Sequence, residues 1–135
     1  MFCKAQSTSC NISTVVPTDT CYGPLNTFTT SSGFVRLYIC PNAIVYDTIT
    51  TFGDRDYVMI NPGANYIWKQ NGPALSKIYV KNGGTLTFTN SSNGTSKEIY
   101  LEPGSTIVDP YGLTTAFTVT FSCPSITFPP VNCLT

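Results

Sequence analysis

A pattern of tight-turn residues in the middle of the chain constrains the fold more than any other feature of the sequence. The turn positions are Asn42, Gly63, Gly83 and Gly104, which lie 21, 20 and 21 residues apart. Apolar, β-branched and aromatic residues flank each turn in the same register. Glycine and asparagine tolerate the left-handed backbone of a tight turn, and the flanking residues favour short strands. The sequence therefore predicts an internal repeat of about 21 residues.

The length of this repeat favours one architecture. So short a unit cannot bury its own apolar side, whereas stacked units bury it against their neighbours, and no segment shows a sustained helical period. We therefore predict an all-β fold, a short β-solenoid or β-helix with rungs of about 21 residues and disulfide-rich terminal segments. The expected organisation is one compact domain, with a cysteine-rich cap or arm at 1–36, solenoid repeats at 37–110, and a strand with a cysteine-containing tail at 111–135.

Side-chain alternation within each strand predicts two faces. Residues two apart, such as Ile78 and Val80, point to the same side, which we expect to be the interior. The residues between them point the other way. This predicts an exposed ladder on the outer face, formed by Tyr38, Met59, Tyr79 and Tyr100. Such a ladder can stabilise the sheet by stacking on itself, pack against a protein surface, or bind sugar rings.

The cysteines lie towards the two ends of the chain. They are Cys3, Cys10, Cys21, Cys40, Cys123 and Cys133. Their spacing is not that of a zinc site and the chain contains no histidine, so we expect no metal site and no cofactor. Disulfides formed in an oxidising, extracellular compartment are the better interpretation, and the sequence leaves their connectivity open.

Three Asn-X-Ser/Thr sequons make Asn11, Asn90 and Asn93 glycosylation candidates of a secreted glycoprotein, with plain turn chemistry as the alternative. No apolar h-region follows Met1, so we expect the numbering to begin at or near the mature end. Charged residues make up only 10% of the chain and the formal net charge is +0. This argues against nucleic acid as a partner, and the lack of a long apolar run argues against membrane insertion.

Acidic residues and nucleophiles give little support for catalysis. Without histidine, and with the cysteines expected to be paired, we predict no catalytic residue and no enzyme activity. Two rungs are expected to lie between Asp47 and Asp109, which sets them about 14 Å apart and is too far for a glycosidase pair. Asp54 and Asp56 flank Arg55 as in a solvated turn, with a calcium site as the alternative.

Threonine is frequent in Thr-x-Thr patterns, as an ice-binding face would require. Such a face needs threonine at equal positions of successive rungs. Two residues after each turn position stand Ile44, Asn65, Thr85 and Thr106. Because only two of these four positions hold threonine, ordinary β-propensity is the better explanation of the threonine content.

The stretch Ile78 to Ile107, IYVKNGGTLTFTNSSNGTSKEIYLEPGSTI, resembles short secreted cysteine-containing repeat proteins of nematodes. The resemblance covers roughly residues 37–110. It implies an extracellular β-solenoid and carries over no catalytic residue.

We therefore expect a secreted structural protein that self-assembles end to end, into a fibre or matrix, with copies of itself as partners. The unlike, cysteine-containing ends and the charge-poor composition favour this function. The alternative is a monomeric secreted binding module that presents the aromatic ladder or the loops to a glycan or a protein receptor.

Overall fold

The computed structural model describes residues 10, 20–22, 27–30, 36–47, 57–68, 76–89, 97–112, 119–128 and 133. The strands are β1 (Thr20–Tyr22), β2 (Thr27–Thr30), β3 (Arg36–Ile39), β4 (Ile44–Asp47), β5 (Tyr57–Ile60), β6 (Asn65–Trp68), β7 (Ser76–Val80), β8 (Thr85–Phe88), β9 (Lys97–Leu101), β10 (Thr106–Val108) and β11 (Val119–Ser122). No α-helix occurs among these residues, so the prediction of an all-β fold is confirmed for the described part of the chain.

The strands form two parallel sheets, and the chain alternates between them. The first sheet has six strands in the order β1-β3-β5-β7-β9-β11, and the second has five in the order β10-β8-β6-β4-β2. We call two consecutive strands, one from each sheet, a rung. Both sheets extend beyond the predicted repeat region 37–110, because β1 and β2 precede it and β11 follows it. Because every strand after β2 pairs with the strand two before it in the chain, each rung pairs with the preceding rung in both sheets, as a repeat of constant length allows.

The turns between the two strands of a rung have the predicted left-handed residue. The φ angles are 65° at Asn42, 76° at Gly63, 81° at Gly83 and 87° at Gly104. One hydrogen bond closes each turn, as when the Ala64 N–H donates to the Asn61 carbonyl at 3.1 Å. Successive turns also bond to one another, since the Gly63 N–H donates to the Gly83 carbonyl at 2.9 Å. The turns therefore set the spacing of the rungs as well as reversing the chain.

The main core lies between the two sheets. Register pairs such as Ile78 with Ile99 and Val80 with Leu101 place like residues above one another. The buried residues are Leu37, Ile39, Ala43, Val45, Val58, Ile60, Ala64, Tyr66, Trp68, Ile78, Val80, Leu86, Phe88 and Ile99. The predicted apolar interior is thus confirmed, with aliphatic residues from the first sheet and aromatic residues added by the second.

Candidate functional site

The predicted ladder occupies one file of the first sheet. In register order the file contains Tyr38, Met59, Tyr79, Tyr100 and Phe121. The rings of Tyr79 and Tyr100 are stacked with their centroids 4.5 Å apart, and those of Tyr100 and Phe121 with theirs 4.7 Å apart. Aromatic pairs of this kind contribute about 0.5–1.5 kcal/mol beyond the area that they bury. The alignment of the ladder is therefore confirmed, and Phe121 extends it by one rung.

The prediction that this ladder is exposed is wrong. The exposed fraction of Tyr38 is 9%, and Met59, Tyr79 and Tyr100 are only 2%, 1% and 1% exposed. The described residues after β11 pack on the outer face of the first sheet and cover the file. The Phe128 ring stands edge-on to Tyr38 at 5.8 Å and to Tyr79 at 6.3 Å, so it spans the rung of Met59. Alternation determines which side a residue takes, but not which distant segment covers that side.

We call residues 123–128 the C-terminal strap, because disulfides fasten the chain on both sides of its crossing. Cys10 is bonded to Cys123, and Cys40 to Cys133, with Cα–Cα distances of 5.9 Å in both bridges. Cys123 directly follows β11 at one end of the stack, whereas Cys40 follows β3 four strands away. The prediction of disulfides is confirmed for these four cysteines, which are used within the chain. The two bridges are consistent with an extracellular or secreted protein.

A carboxylate also holds the strap. The Glu102 Oε1 atom accepts a hydrogen bond from the Ile126 N–H at 2.5 Å, and its Oε2 atom accepts one from the Asn82 N–H at 2.6 Å. The Lys81 amino group lies 5.2 Å from the centroid of the Phe128 ring. Hydrogen bonds to a charged group contribute about 1.5–3 kcal/mol each. Sequence reasoning missed Glu102, because no local pattern connects it to an amide 24 residues later.

The surroundings of Tyr79 in the ladder disfavour ionisation of its hydroxyl. Burial raises the pKa of the Tyr79 hydroxyl well above its usual value, and the nearby Tyr100, Tyr57 and Glu98 raise it further. The Tyr100 hydroxyl donates a hydrogen bond to Glu98 Oε2 at 2.6 Å, and Lys77 lies 3.9 Å from the same carboxylate. Tyr79 therefore stays protonated at neutral pH, as a packing residue does.

The outer face of the second sheet has a different character. One file contains Thr27, Ile44, Asn65, Thr85 and Thr106, and the next contains Thr29, Tyr46, Ile67, Thr87 and Val108. Neither file contains a charged residue, and Ile44 and Val108 are 39% and 44% exposed. The Thr87 hydroxyl donates to Asn65 Oδ1 at 2.8 Å. Because Ile44 and Asn65 interrupt the threonine file as predicted, this face is an uncharged mixture of polar and apolar groups.

Asp47 and Asp109 lie far apart along the stack. Asp47 is fully buried in the interior file, in register with Trp68, and accepts a hydrogen bond from the Tyr66 hydroxyl. Asp109 follows β10, and the rungs of Trp68 and Phe88 separate it from Asp47. Within the described residues, no group of three or more His, Cys, Asp or Glu is placed to hold a metal ion.

Several predicted residues lie outside the described residues. They are Cys3, Asn11, Asp54, Arg55, Asp56, Asn90 and Asn93. Cys21 lies in β1, in register with Tyr38 of the ladder file. The sequon, calcium and loop interpretations therefore stay predictions.

The C-terminal end of the stack forms a step, because the first sheet has one strand more than the second. Thr120 and Ser122 of β11 are in register with Ile99 and Leu101 on the inward side, yet both are exposed. Leu101 and Ile107 are only half-buried against the core at this end. In the described part of the chain, no strand pairs with the outer edge of β10 or of β11. This step is the candidate functional site.

No protein-family model matches the sequence, and no curated protein or solved structure is significantly similar to it. The described residues contain no helix of the length and hydropathy that a membrane span requires.

Proposed function

We propose that this chain is a secreted structural protein, a short β-solenoid that self-assembles end to end into an extracellular fibre or matrix. One observation carries the proposal. Both parallel sheets end in strands whose outer edges pair with no other strand among the described residues, namely β1 and β2 at one end and β10 and β11 at the other. Unpaired edges of this kind recruit further strands, with backbone hydrogen bonds providing the affinity.

The strand order supports the solenoid. Consecutive strands alternate between the two sheets, so the chain completes one circuit per rung and pairs each rung only with its neighbours. The stacked turns, in which the Gly83 N–H donates to the Gly104 carbonyl at 3.1 Å, follow the same period. Stability in such an array comes from contacts between neighbouring rungs, so strand pairing at its ends allows a further copy to extend the array.

The disulfides support an extracellular location. Structural disulfides persist in oxidising compartments. Two bridges, Cys10–Cys123 and Cys40–Cys133, hold the strap on the first sheet, where its described residues pack against the ladder. The formal net charge of +0 adds little repulsion between copies. Sugars at Asn11, Asn90 and Asn93 would add polar surface to a chain that has few charges.

Sedimentation velocity over a wide concentration range, followed by negative-stain electron microscopy, tests this function. We expect the mass to rise with concentration and fibres to appear at the highest concentration. A chain that stays monomeric throughout, with its disulfides intact and at neutral pH, would exclude end-to-end assembly.

The second candidate is a monomeric binding module, and the outer face of the second sheet favours it. That face is uncharged, and Tyr111, which follows β10 and donates a hydrogen bond to the Thr89 carbonyl at 3.1 Å, is 48% exposed. The buried ladder is not available for this role. A glycan array on the monomer, repeated with Tyr111→Ala and with Tyr79→Phe as the control, tests it. Binding that is lost only in Tyr111→Ala would support the candidate, and no binding to any glycan or receptor would remove it. Neither candidate function involves catalysis.

A further inference from the structure

We infer that the C-terminal ends of two copies complete one another about a two-fold axis, with β11 of each copy pairing with β10 of the other. The inference rests on the proposed function, for which it specifies the contact at the C-terminal end; the edges of β1 and β2 are left for the next contact of a fibre. Each copy thereby supplies the strand that the second sheet of the other lacks. The partner is thus a second copy of this chain.

The unequal strand count carries the argument. Among the described residues, the strap follows β11 and no sixth strand pairs with β10 in the second sheet. A second copy stacked by simple translation would set its β1 on β11 and its β2 one strand spacing too far from β10, because β1 and β2 belong to one rung. A two-fold axis parallel to the strands places the first sheet of one copy on the second sheet of the other. The two steps then fill each other, and the strands that meet run antiparallel.

The directions of the backbone groups agree with this pairing. The Thr106 N–H donates to the Gly84 carbonyl beside β8 at 2.9 Å, so the N–H and C=O of Ile107 point to the open edge. The Cys123 N–H donates towards β9 at 2.8 Å, so alternation turns the N–H and C=O of Thr120 to the open edge of β11. Ile107 and Thr120 can therefore form a hydrogen-bonded antiparallel pair that exchanges two bonds.

The side chains agree as well. Ile107 and Thr120 both lie on the inward side of their sheets, as directly opposite residues of an antiparallel pair must. Thr120 of one copy would then cover the half-buried Ile107 of the other. The same register sets the exposed Val108 opposite Val119.

The composition of the two edges is a further, independent observation. Exposed edge strands are usually protected by charges or proline, which prevent pairing. Neither β10 (Thr106–Val108) nor β11 (Val119–Ser122) contains a charged residue or a proline. Nothing within these two strands therefore opposes the addition of a strand.

Thr120→Pro tests the pairing, with Thr120→Val as the matched control. Proline removes an N–H that faces the open edge and no hydrogen bond to β9, a position at which an edge strand tolerates proline. Because both copies carry the substitution, one hydrogen bond is lost at each of the two β10–β11 contacts. We therefore expect the dissociation constant of the pair to rise by roughly a hundredfold. Thr120→Val keeps the backbone and should associate at least as tightly as the unsubstituted chain. Sedimentation equilibrium measures all three.

The outcomes separate this inference from the proposed function. If the unsubstituted chain assembles and Thr120→Pro assembles equally well, this pairing is excluded while end-to-end assembly stands. If the unsubstituted chain is monomeric at every concentration, both are excluded. Should Thr120→Pro not fold, hydrogen exchange of the unsubstituted chain decides, because the pairing predicts that the Ile107 and Thr120 amides become protected only on association.

Discussion

Removing the bridge between Cys40 and Cys133, by the double substitution Cys40→Ser/Cys133→Ser, should strongly destabilise the chain. With the bridge between Cys10 and Cys123 intact, a short path through that bridge still connects Cys40 to Cys133 in the unfolded chain. That path runs 30 residues from Cys40 to Cys10, crosses the remaining bridge, and runs 10 residues from Cys123 to Cys133. Closing a loop of about 40 residues corresponds to about 4 kcal/mol of chain entropy.

Urea unfolding followed by fluorescence measures this loss. For a small domain with a denaturant dependence of about 2 kcal/mol per molar urea, the midpoint should fall by about 2 M. The folded variant should keep the strap in place, because Glu102 still accepts the Ile126 N–H and Phe128 still packs on the ladder. Hydrogen exchange at the Ile126 amide reports whether the strap stays seated.

The matched control is Cys10→Ser/Cys123→Ser, which leaves the other bridge in place. The loop that the removed bridge closed again has about 40 residues, so the two variants should lose the same free energy of unfolding, within about 0.5 kcal/mol. A loss below about 1 kcal/mol for either variant would contradict the reasoning. So would a large loss in one variant and none in the other.

Three further substitutions test the turns, the ladder and the strap. Gly83→Val should cost about 2 kcal/mol, because a β-branched side chain resists the φ of 81°, whereas Gly83→Asn should cost less, since Asn42 adopts φ 65° at the equivalent position; thermal melting compares them. Because burial raises the pKa of Tyr79, the contribution of its hydroxyl to stability is complete below the unfolded pKa of about 10 and is lost as the pH rises further. Tyr79→Phe should therefore weaken this alkaline loss of stability when the free energy of unfolding is measured against pH. Glu102→Gln should cost about 2 kcal/mol in urea unfolding and speed exchange at the Ile126 amide, because it removes the charge from two hydrogen bonds.

For each of the three substitutions, one result would contradict the expected outcome. Equal melting of the two Gly83 variants and the unsubstituted chain would mean that the turn does not need a left-handed residue. An alkaline stability profile unchanged in Tyr79→Phe would mean that another group causes the loss. Unchanged exchange at Ile126 in Glu102→Gln would mean that the carboxylate does not hold the strap.

Features that depend on local backbone geometry and on a constant repeat length were predictable from the amino-acid sequence. Asn42 and Gly83 take the left-handed turn position, because few other residues adopt positive φ without strain. The repeat period then determines which residues stand above one another. It correctly aligned Tyr79 with Tyr100 on the outer side and Ile78 with Ile99 in the interior.

What lies against the outer side of the first sheet depends on long-range packing and was not predictable from the repeat. The ladder was predicted to be exposed, and the strap buries it, because Phe128 reaches Tyr38 and Tyr79 from a part of the chain outside the repeat. The pairing of Cys10 with Cys123 and the hydrogen bonds of Glu102 depend on the same crossing. Strand periodicity carries information about neighbours within a sheet, whereas a segment that crosses the sheet obeys no period, and its position follows from the packing of the whole chain.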